Sequence, residues 1–308
     1  MRNRLIAIIA LLTMILTMFT ACGESADLAL PFEVTDDEYT IAIVSDTQFL
    51  SRDNRDAFFA LTEFCESKQA SLRIKYLIHT GDIVNSPYET TQWKNADYAM
   101  DELKTLPYGV LPGNHDTGNS DRKYTDYSSY FGESRFEGAE WYGMSHEDNR
   151  GHYDLITMGT TQFVVVYISD DPSSCCVDFA NDTFQKYPDR IGILCTHKYL
   201  ENDGSHTEMG EYLHEKIVEP NKNIAMVICG HNDTTVYTTK KTEDGRAVGQ
   251  LMTNYQDGES RTQGYALFLI INETEGTMEG ITYSPYMNDF VGHVEEEITD
   301  EFTVDLPW

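Results

Sequence analysis

Apolar and polar positions follow two rhythms along this chain. Largely apolar runs at residues 41–45, 74–79, 108–112, 162–168, 191–195 and 224–229 are each bounded by polar or glycine-rich residues. Runs of that length predict strands buried on both faces. Between them, residues 53–69 place Phe58, Leu61, Phe64 and Cys65 at helical spacing, and residues 89–104 carry Trp93 and Met100 on one side. Shorter helices are predicted over 178–187 and 207–219. Strand, helix, strand is the pattern of a sheet built by crossovers. After Gly230 the rhythm changes. Residues 234–239, 247–253, 265–271 and 277–283 read as successive strands with turn residues between them. Residues 119–150 are polar and rich in tyrosine, glycine and charge, and read as a long excursion capping a site. No repeat and no composition break marks a second domain.

The N-terminus stands apart. Arg2 and Arg4 precede an uncharged apolar run at 5–19, followed by Thr20-Ala21-Cys22. That is the three-part form of a secretory signal. The run is short for a bilayer span, which needs roughly 20 residues. The small residues before Cys22 resemble a bacterial lipobox, which makes Cys22 a lipidated first residue. Ordinary secretion, with Cys22 incidental, is the alternative. The expected organisation is a signal at 1–21, an acidic tether at 22–39 and one domain at 40–308.

Composition narrows the function classes. Of 308 residues, 22 are Lys or Arg and 51 are Asp or Glu, for a formal charge of −29. Loss of Arg2 and Arg4 with a signal leaves the remainder two units more negative. Such a surface opposes a polyanion, so no nucleic-acid partner is expected. Hydrophobic residues make up 41%, which supplies a sizeable core and excludes a wholly disordered chain. Beyond Cys22 there are Cys65, Cys175, Cys176, Cys195 and Cys229, with no CxxC pair, so a zinc ribbon has no support. Cys195 and Cys229 sit in apolar runs and read as buried. Cys175-Cys176 is a vicinal pair in a polar loop, where an exported location permits a disulfide.

The candidate chemistry lies just after the strands. Asp46 and Gln48, Asp82 and Asn85, Asn114 to Asp116, His197, and His231 to Asp233 each follow an apolar run. Ligand sites in open α/β sheets gather at the carboxyl ends of strands, so these five ends converge on one pocket. Other groups have plainer readings. His79 is a core or supporting histidine, His146 and His152 are solvated loop residues or substrate contacts, and His206 and His214 are surface residues. Lys198 and Tyr199 follow His197 and are candidate phosphate or leaving-group contacts. Asn85 is a local turn partner, and the acidic run 295–301 a solvated face.

Asp46-Thr-Gln48, Gly81-Asp82-Ile-Val-Asn85, Gly113-Asn114-His115-Asp116, Thr196-His197 and Gly230-His231 resemble the motif series of the calcineurin-like metallophosphoesterases. The resemblance covers roughly residues 40–285. Residues 153–168, Asn254-Tyr-Gln256 and Thr282-Tyr-Ser-Pro285 also resemble the secreted bacterial branch with Asp-Thr-Gln in its first motif. The resemblance implies an α/β (α+β) fold, a four-layer αββα sandwich of two mixed sheets flanked by helices. It implies two divalent metal ions (Mn, Fe, Zn or Mg) and a small phosphate-ester substrate, monoester or diester. By position, Asp82 bridges the two ions; Asn114, His197 and His231 complete one site, and Asp46 and Gln48 the other. His115 meets the phosphate or protonates the leaving alkoxide, and Asp116 orients His115.

Two positions depart from that pattern. Gln48 stands where the family usually has histidine, and Asn232-Asp233 replaces the end of a Gly-His-x-His motif. Both fall on the Asp46 side, which is left with oxygen donors only. Oxygen donors suit Mg²⁺, Mn²⁺ or Ca²⁺, whereas imidazole suits Zn²⁺, Fe or Mn²⁺. Asp233 is either a further ligand or a turn residue. The expected function is metal-dependent phosphoric-ester hydrolysis outside the cytoplasm, held to the membrane by a lipid anchor only. The alternative is a cell-surface binding protein that keeps the fold without the chemistry.

Overall fold

The apolar runs form two seven-stranded mixed sheets. The computed structural model describes residues 30–118, 124–290 and 302–308. The expected signal, Cys22 and the acidic run 295–301 lie outside them. The chain divides into two compact units, Met1–Glu33 and Val34–Trp308. All elements named here belong to the second.

In the first sheet, β1 (Glu38–Val44), β2 (Ile74–His79) and β3 (Tyr108–Val110) are parallel neighbours. The second begins with β4 (Tyr142–His146), β5 (Gly151–Met158) and β6 (Thr161–Ile168), joined antiparallel. It continues in parallel through β7 (Ile191–Cys195), β8 (Ile224–Cys229) and β10 (Ala247–Met252). The strand β9 (Val236–Lys241) pairs with β10 on the far edge. The chain then returns to the first sheet. There β11 (Ala266–Asn272) pairs with β1, and β12 (Thr277–Ser284) with β11. Two short strands, β13 (Asp289–Phe290) and β14 (Phe302–Asp305), both pair with β12.

Period-two alternation explains the layering. In β6, Phe163, Val165 and Tyr167 join Ile41, Ile43, Tyr76 and Leu269 in the core between the sheets. Val164, Val166 and Ile168 point the other way, onto a cluster with Phe179, Phe184, Leu213 and Ile217. Those partners come from α6 (Ser174–Lys186) and from α7 (Glu208–Leu213) with its π-helical continuation His214–Val218. The first sheet is covered by α2 (Arg55–Ser67), which buries Phe58, Leu61 and Cys65 and lays Phe64 edge-on to Phe268. The fold is the expected four-layer sandwich.

Local differences have local causes. The helix expected over 53–69 is α2; an additional short helix, α1 (Gln48–Asp53), precedes it, and Asn54 between them caps α2 by accepting from Ala57 N–H at 3.3 Å. The helix expected over 178–187 starts four residues earlier, where Ser173 caps it. Cys175 and Cys176 therefore lie on that helix and not in a loop, and both are free thiols. The first sheet begins inside the expected tether, with Tyr39 only 2% exposed.

Residues 119–123 of the excursion lie outside the described residues, and the rest packs into the domain. From residue 124 onward it forms α4 (Thr125–Phe131), α5 (Glu133–Phe136) and β4. Tyr127, Phe131 and Phe136 are buried, and Tyr130 stacks on Trp93 of α3 (Thr90–Met100) at 5.8 Å. Arg135 clamps it to α3 through Asp97 at 2.5 Å and Asp101 at 2.7 Å. Its polar composition masked aromatic positions at helical spacing.

Candidate metal centre

Asp46 follows β1, Asp82 follows β2, Asn114 follows β3, His197 follows β7 and His231 follows β8. Two sheets thus deliver their carboxyl ends to one edge. Three of these residues hold left-handed backbone: Asp46 at φ 53°, Asp82 at 52° and His231 at 76°. Non-glycine residues adopt that conformation at a cost, and such strain gathers at functional sites. Close approach is met by glycine. A Cβ on Gly230 would stand 2.5 Å from Asp46 Oδ2, and Gly81 turns at φ 99°.

Three donor atoms gather around His197 Nε2. His197 Nε2 lies 3.1 Å from Asn114 Oδ1, 3.2 Å from His231 Nδ1 and 3.3 Å from Asp82 Oδ2. A tetrahedral ion with N and O ligands near 2.0–2.2 Å sets such edges at about 3.3–3.6 Å, a little wider than these. His197 Nδ1 faces the Thr80 carbonyl at 2.9 Å, which fixes the tautomer that turns Nε2 inward. Asp82, His197 and His231 form a group able to hold a metal ion.

A second set adjoins it. Asp46 is buried; its Oδ2 accepts from His231 N–H at 3.1 Å and from Ser45, while Oδ1 has no hydrogen-bond partner. The Gln48 amide is best satisfied with its nitrogen towards the carbonyl oxygens of Asp46 and Asp82, at 2.9 and 3.1 Å. Its oxygen then faces Asp82 Oδ2 at 3.4 Å. Two facing oxygens beside an unpartnered carboxylate oxygen fit a shared cation and oppose an empty, low-dielectric site.

Charge gives the same answer. Burial disfavours the His197 cation, but Asp82 and Asp46 outweigh it and raise its pKa to about 10. Burial and the His197 charge press His231 down to about 4. Burial, aided by Asp82, lifts Asp46 to about 7. Burial works against the Asp82 charge as well, yet His197 and His115 hold its pKa below the ordinary value. The cluster calls for positive charge where the donors meet, which a divalent ion would supply. A stability prediction follows for the metal-free protein. The folded pKa of His197 exceeds its ordinary 6.5, so its contribution is complete below that pH and is lost as pH rises through about 10. Chelated protein should melt lower at pH 10 than at pH 6.5, and metal-loaded protein should lose this dependence. An equal melting temperature in chelated protein at both pH values would contradict the charge assignment.

His115 and Asp116 are arranged differently from expectation. His115 N–H donates to Asp82 Oδ1 at 2.8 Å, and its Nδ1 faces the Asn85 carbonyl at 2.9 Å. Asn85, not Asp116, orients the ring. Asp116 is wholly buried and accepts from Ile83, Val84 and Gly113 N–H at 3.1, 2.9 and 2.9 Å. It ties the Asp82 loop to the Asn114 loop. Asp116→Ala strips partners from three buried donors, each costing about 1–3 kcal/mol. Chemical denaturation should show a loss of roughly 3 kcal/mol or more; a loss under 1 kcal/mol would contradict the tie.

Other expectations change. Asp233 is exposed and hydrogen-bonds Gln256, whose amide meets that of Gln48. Tyr199 is buried with its hydroxyl on His214 Nδ1 at 3.1 Å, so only Lys198 remains near substrate space. His152 is wholly buried between the sheets, stacked on Tyr167 at 4.3 Å. His206 and His214 are also enclosed, their side chains 3% and 5% exposed. His79 is a satisfied buried histidine, bonded to Thr47 Oγ1 at 3.0 Å and Gly81 N–H at 3.2 Å. Gln256 was given no role by its sequence. Its amide meets that of Gln48 and lies 3.1 Å from the His231 carbonyl.

Two packed mixed sheets whose strand ends bring Asp, Asn and His together define a metallophosphoesterase-type fold. The chain belongs to the calcineurin-like phosphoesterase family, whose model matches residues 39–232. It is 38% identical over 261 residues to the uncharacterized protein YvnB of Bacillus subtilis strain 168, covering 82% of this chain and 20% of that one. The chain thus spans about a fifth of that relative's length. Among solved structures, purple acid phosphatase PPD1 of yellow lupin superposes with TM-score 0.57 at 11% identity, over 89% of this chain and 55% of that one. GAP50, the anchor in the inner membrane complex of Plasmodium, gives 0.53 at 10% identity, over 87% and 88%. Both likenesses are of fold.

Proposed function

We propose that the chain is a phosphoric-ester hydrolase with a two-metal centre, exported and lipid-anchored through Cys22. The observation that carries it is the convergence of Asp82, Asn114, His197 and His231 donors at 3.1–3.3 Å from His197 Nε2, beside the unpartnered Asp46 Oδ1. The export half rests on the Arg2–Cys22 pattern. Among the described residues no helix is long and apolar enough to cross a membrane.

Two bound divalent cations supply Lewis-acid polarisation of the phosphoryl group and acidify the attacking water. The chain's residues do the positioning. Asp82 lies between the two donor sets. His115, with Nδ1 turned to Asn85, keeps Nε2 to protonate the leaving oxygen. A cavity of about 730 Å³ adjoins, lined by Lys198, Asp170, Glu201, Met209 and Tyr212. Asp170 N–H reaches the Pro112 carbonyl at 3.1 Å, which sets this cavity beside the Asn114 loop. It has room for the alcohol part of a small ester, and its carboxylates disfavour an extended polyanion.

The test is turnover of p-nitrophenyl phosphate and bis-p-nitrophenyl phosphate by chelated protein reloaded with Mn²⁺, Mg²⁺ or Zn²⁺. Metal-dependent turnover is expected, and the preferred substrate separates monoester from diester chemistry. No turnover with any metal would favour the second reading, a cell-surface binding protein. That reading draws on the sparse donors around Asp46, where Gln48 stands in place of an imidazole. The same donors make the metals an unequal pair; two tightly held zinc ions after growth in mixed metals would contradict this.

A further inference from the structure

Another group of ligand side chains lies apart from the strand ends. His146 closes β4, Glu147 opens the turn to β5, and Cys175 sits in the first turn of α6. One nitrogen of His146, one carboxylate oxygen of Glu147 and Cys175 Sγ all lie within 4.8 Å of one another. Cys175 Sγ is 3.6 Å from Glu147 Oε1. A tetrahedral zinc ion, with Zn–S about 2.3 Å and Zn–O about 2.0–2.2 Å, sets that edge at about 3.5–3.7 Å.

The three groups are held, not loosely gathered. Glu147, Asp148 and Asn149 take consecutive left-handed conformations, φ 49°, 55° and 67°. Buried Asn149 locks that turn by donating to the Phe131 carbonyl at 2.8 Å and accepting from Tyr142 Oη at 2.7 Å. Arg150 takes Glu147 Oε2 at 3.2 Å, which leaves Oε1 to face the thiol. The His146 ring stacks on Phe179 at 5.1 Å, and its Nε2 is shielded from water with no hydrogen-bond partner. A shielded ring nitrogen without a partner calls for one. A cavity of about 300 Å³ lined by His146, Cys175 and Asp178 gives access.

We infer that His146, Glu147 and Cys175 form a metal site of their own, for a thiophilic divalent cation of the zinc type with one open position. Binding releases the Cys175 thiol proton to solvent and leaves the thiolate as ligand. The ion pins the β4–β5 turn to the start of α6. The strand-end donors are oxygen and nitrogen only, so this site stands or falls independently of the proposed hydrolysis.

That difference supplies the test. Reduced full-length protein is titrated anaerobically with Co²⁺, and sulfur-to-cobalt charge-transfer absorption is read in the near ultraviolet. With all sites filled, the band should reach the intensity of one thiolate-bound Co²⁺ per chain, and it should be displaced by Zn²⁺. Cys175→Ser should abolish it and lower bound metal by one ion per chain. Exposed Cys175 makes that variant safe for folding. His146→Ala and Glu147→Gln keep the sulfur and should each weaken binding by about tenfold or more. Absence of the band, its survival in Cys175→Ser, or indifference to both His146→Ala and Glu147→Gln would overturn the site.

Discussion

Asp82→Ala should lower turnover of p-nitrophenyl phosphate by roughly 10³-fold or more. The expectation comes from where the carboxylate sits. Its Oδ2 is 3.3 Å from His197 Nε2 and 3.4 Å from the Gln48 amide, while Oδ1 anchors His115 N–H at 2.8 Å. One side chain therefore joins both donor sets and places the proton donor. Its loss removes the shared ligand and releases the His115 loop together. Asp82→Asn keeps an acceptor for His115 N–H but removes the charge, so it should restore the fold's stability without restoring turnover. The measurement is kcat alongside bound metal for both variants. Full metal content with activity within tenfold of the parent would contradict the role.

His115→Ala should cost about 10²–10³-fold, and unevenly. An alkyl phosphate leaves as a basic alkoxide and needs the proton. A p-nitrophenolate does not, so the deficit on p-nitrophenyl phosphate should be clearly smaller. Asp82→Ala acts on the phosphoryl group and should penalise both substrates alike. Comparing the two variants on the two esters separates proton donation from phosphoryl binding. Equal deficits for His115→Ala would reduce it to a positioning residue, held by Asn85 and serving the phosphate alone.

Much of this architecture was legible because strand ends are marked twice. The apolar run says where a strand stops, and the polar residue after it says what is delivered there. Asp46, Asp82, Asn114, His197 and His231 are all of this kind, and the structure brings them to one edge. Residues whose task is set by partners distant in sequence were not legible. Asp116 binds three backbone N–H groups of loops more than 30 positions apart in part, a connection that adjacency to His115 obscured. Gln256 lies 208 positions from Gln48. His152 looked solvated because it follows a polar stretch. It lies instead in a strand whose alternation carries it between the sheets, against Tyr167. The β4–β5 hairpin was missed as well: β4 is a partly exposed edge strand, and β5, although buried between β4 and β6, carries His152 and Asp154 that break its apolar run.

The proposed centre is a pair of cations bridged by one carboxylate. Electron paramagnetic resonance of the Mn²⁺-loaded protein tests it most directly. A bridged pair gives an exchange-coupled multiline spectrum at full loading, and Asp82→Ala should reduce it to isolated ions or none. A fully loaded parent protein showing only uncoupled single-ion Mn²⁺ signals would contradict the two-metal centre.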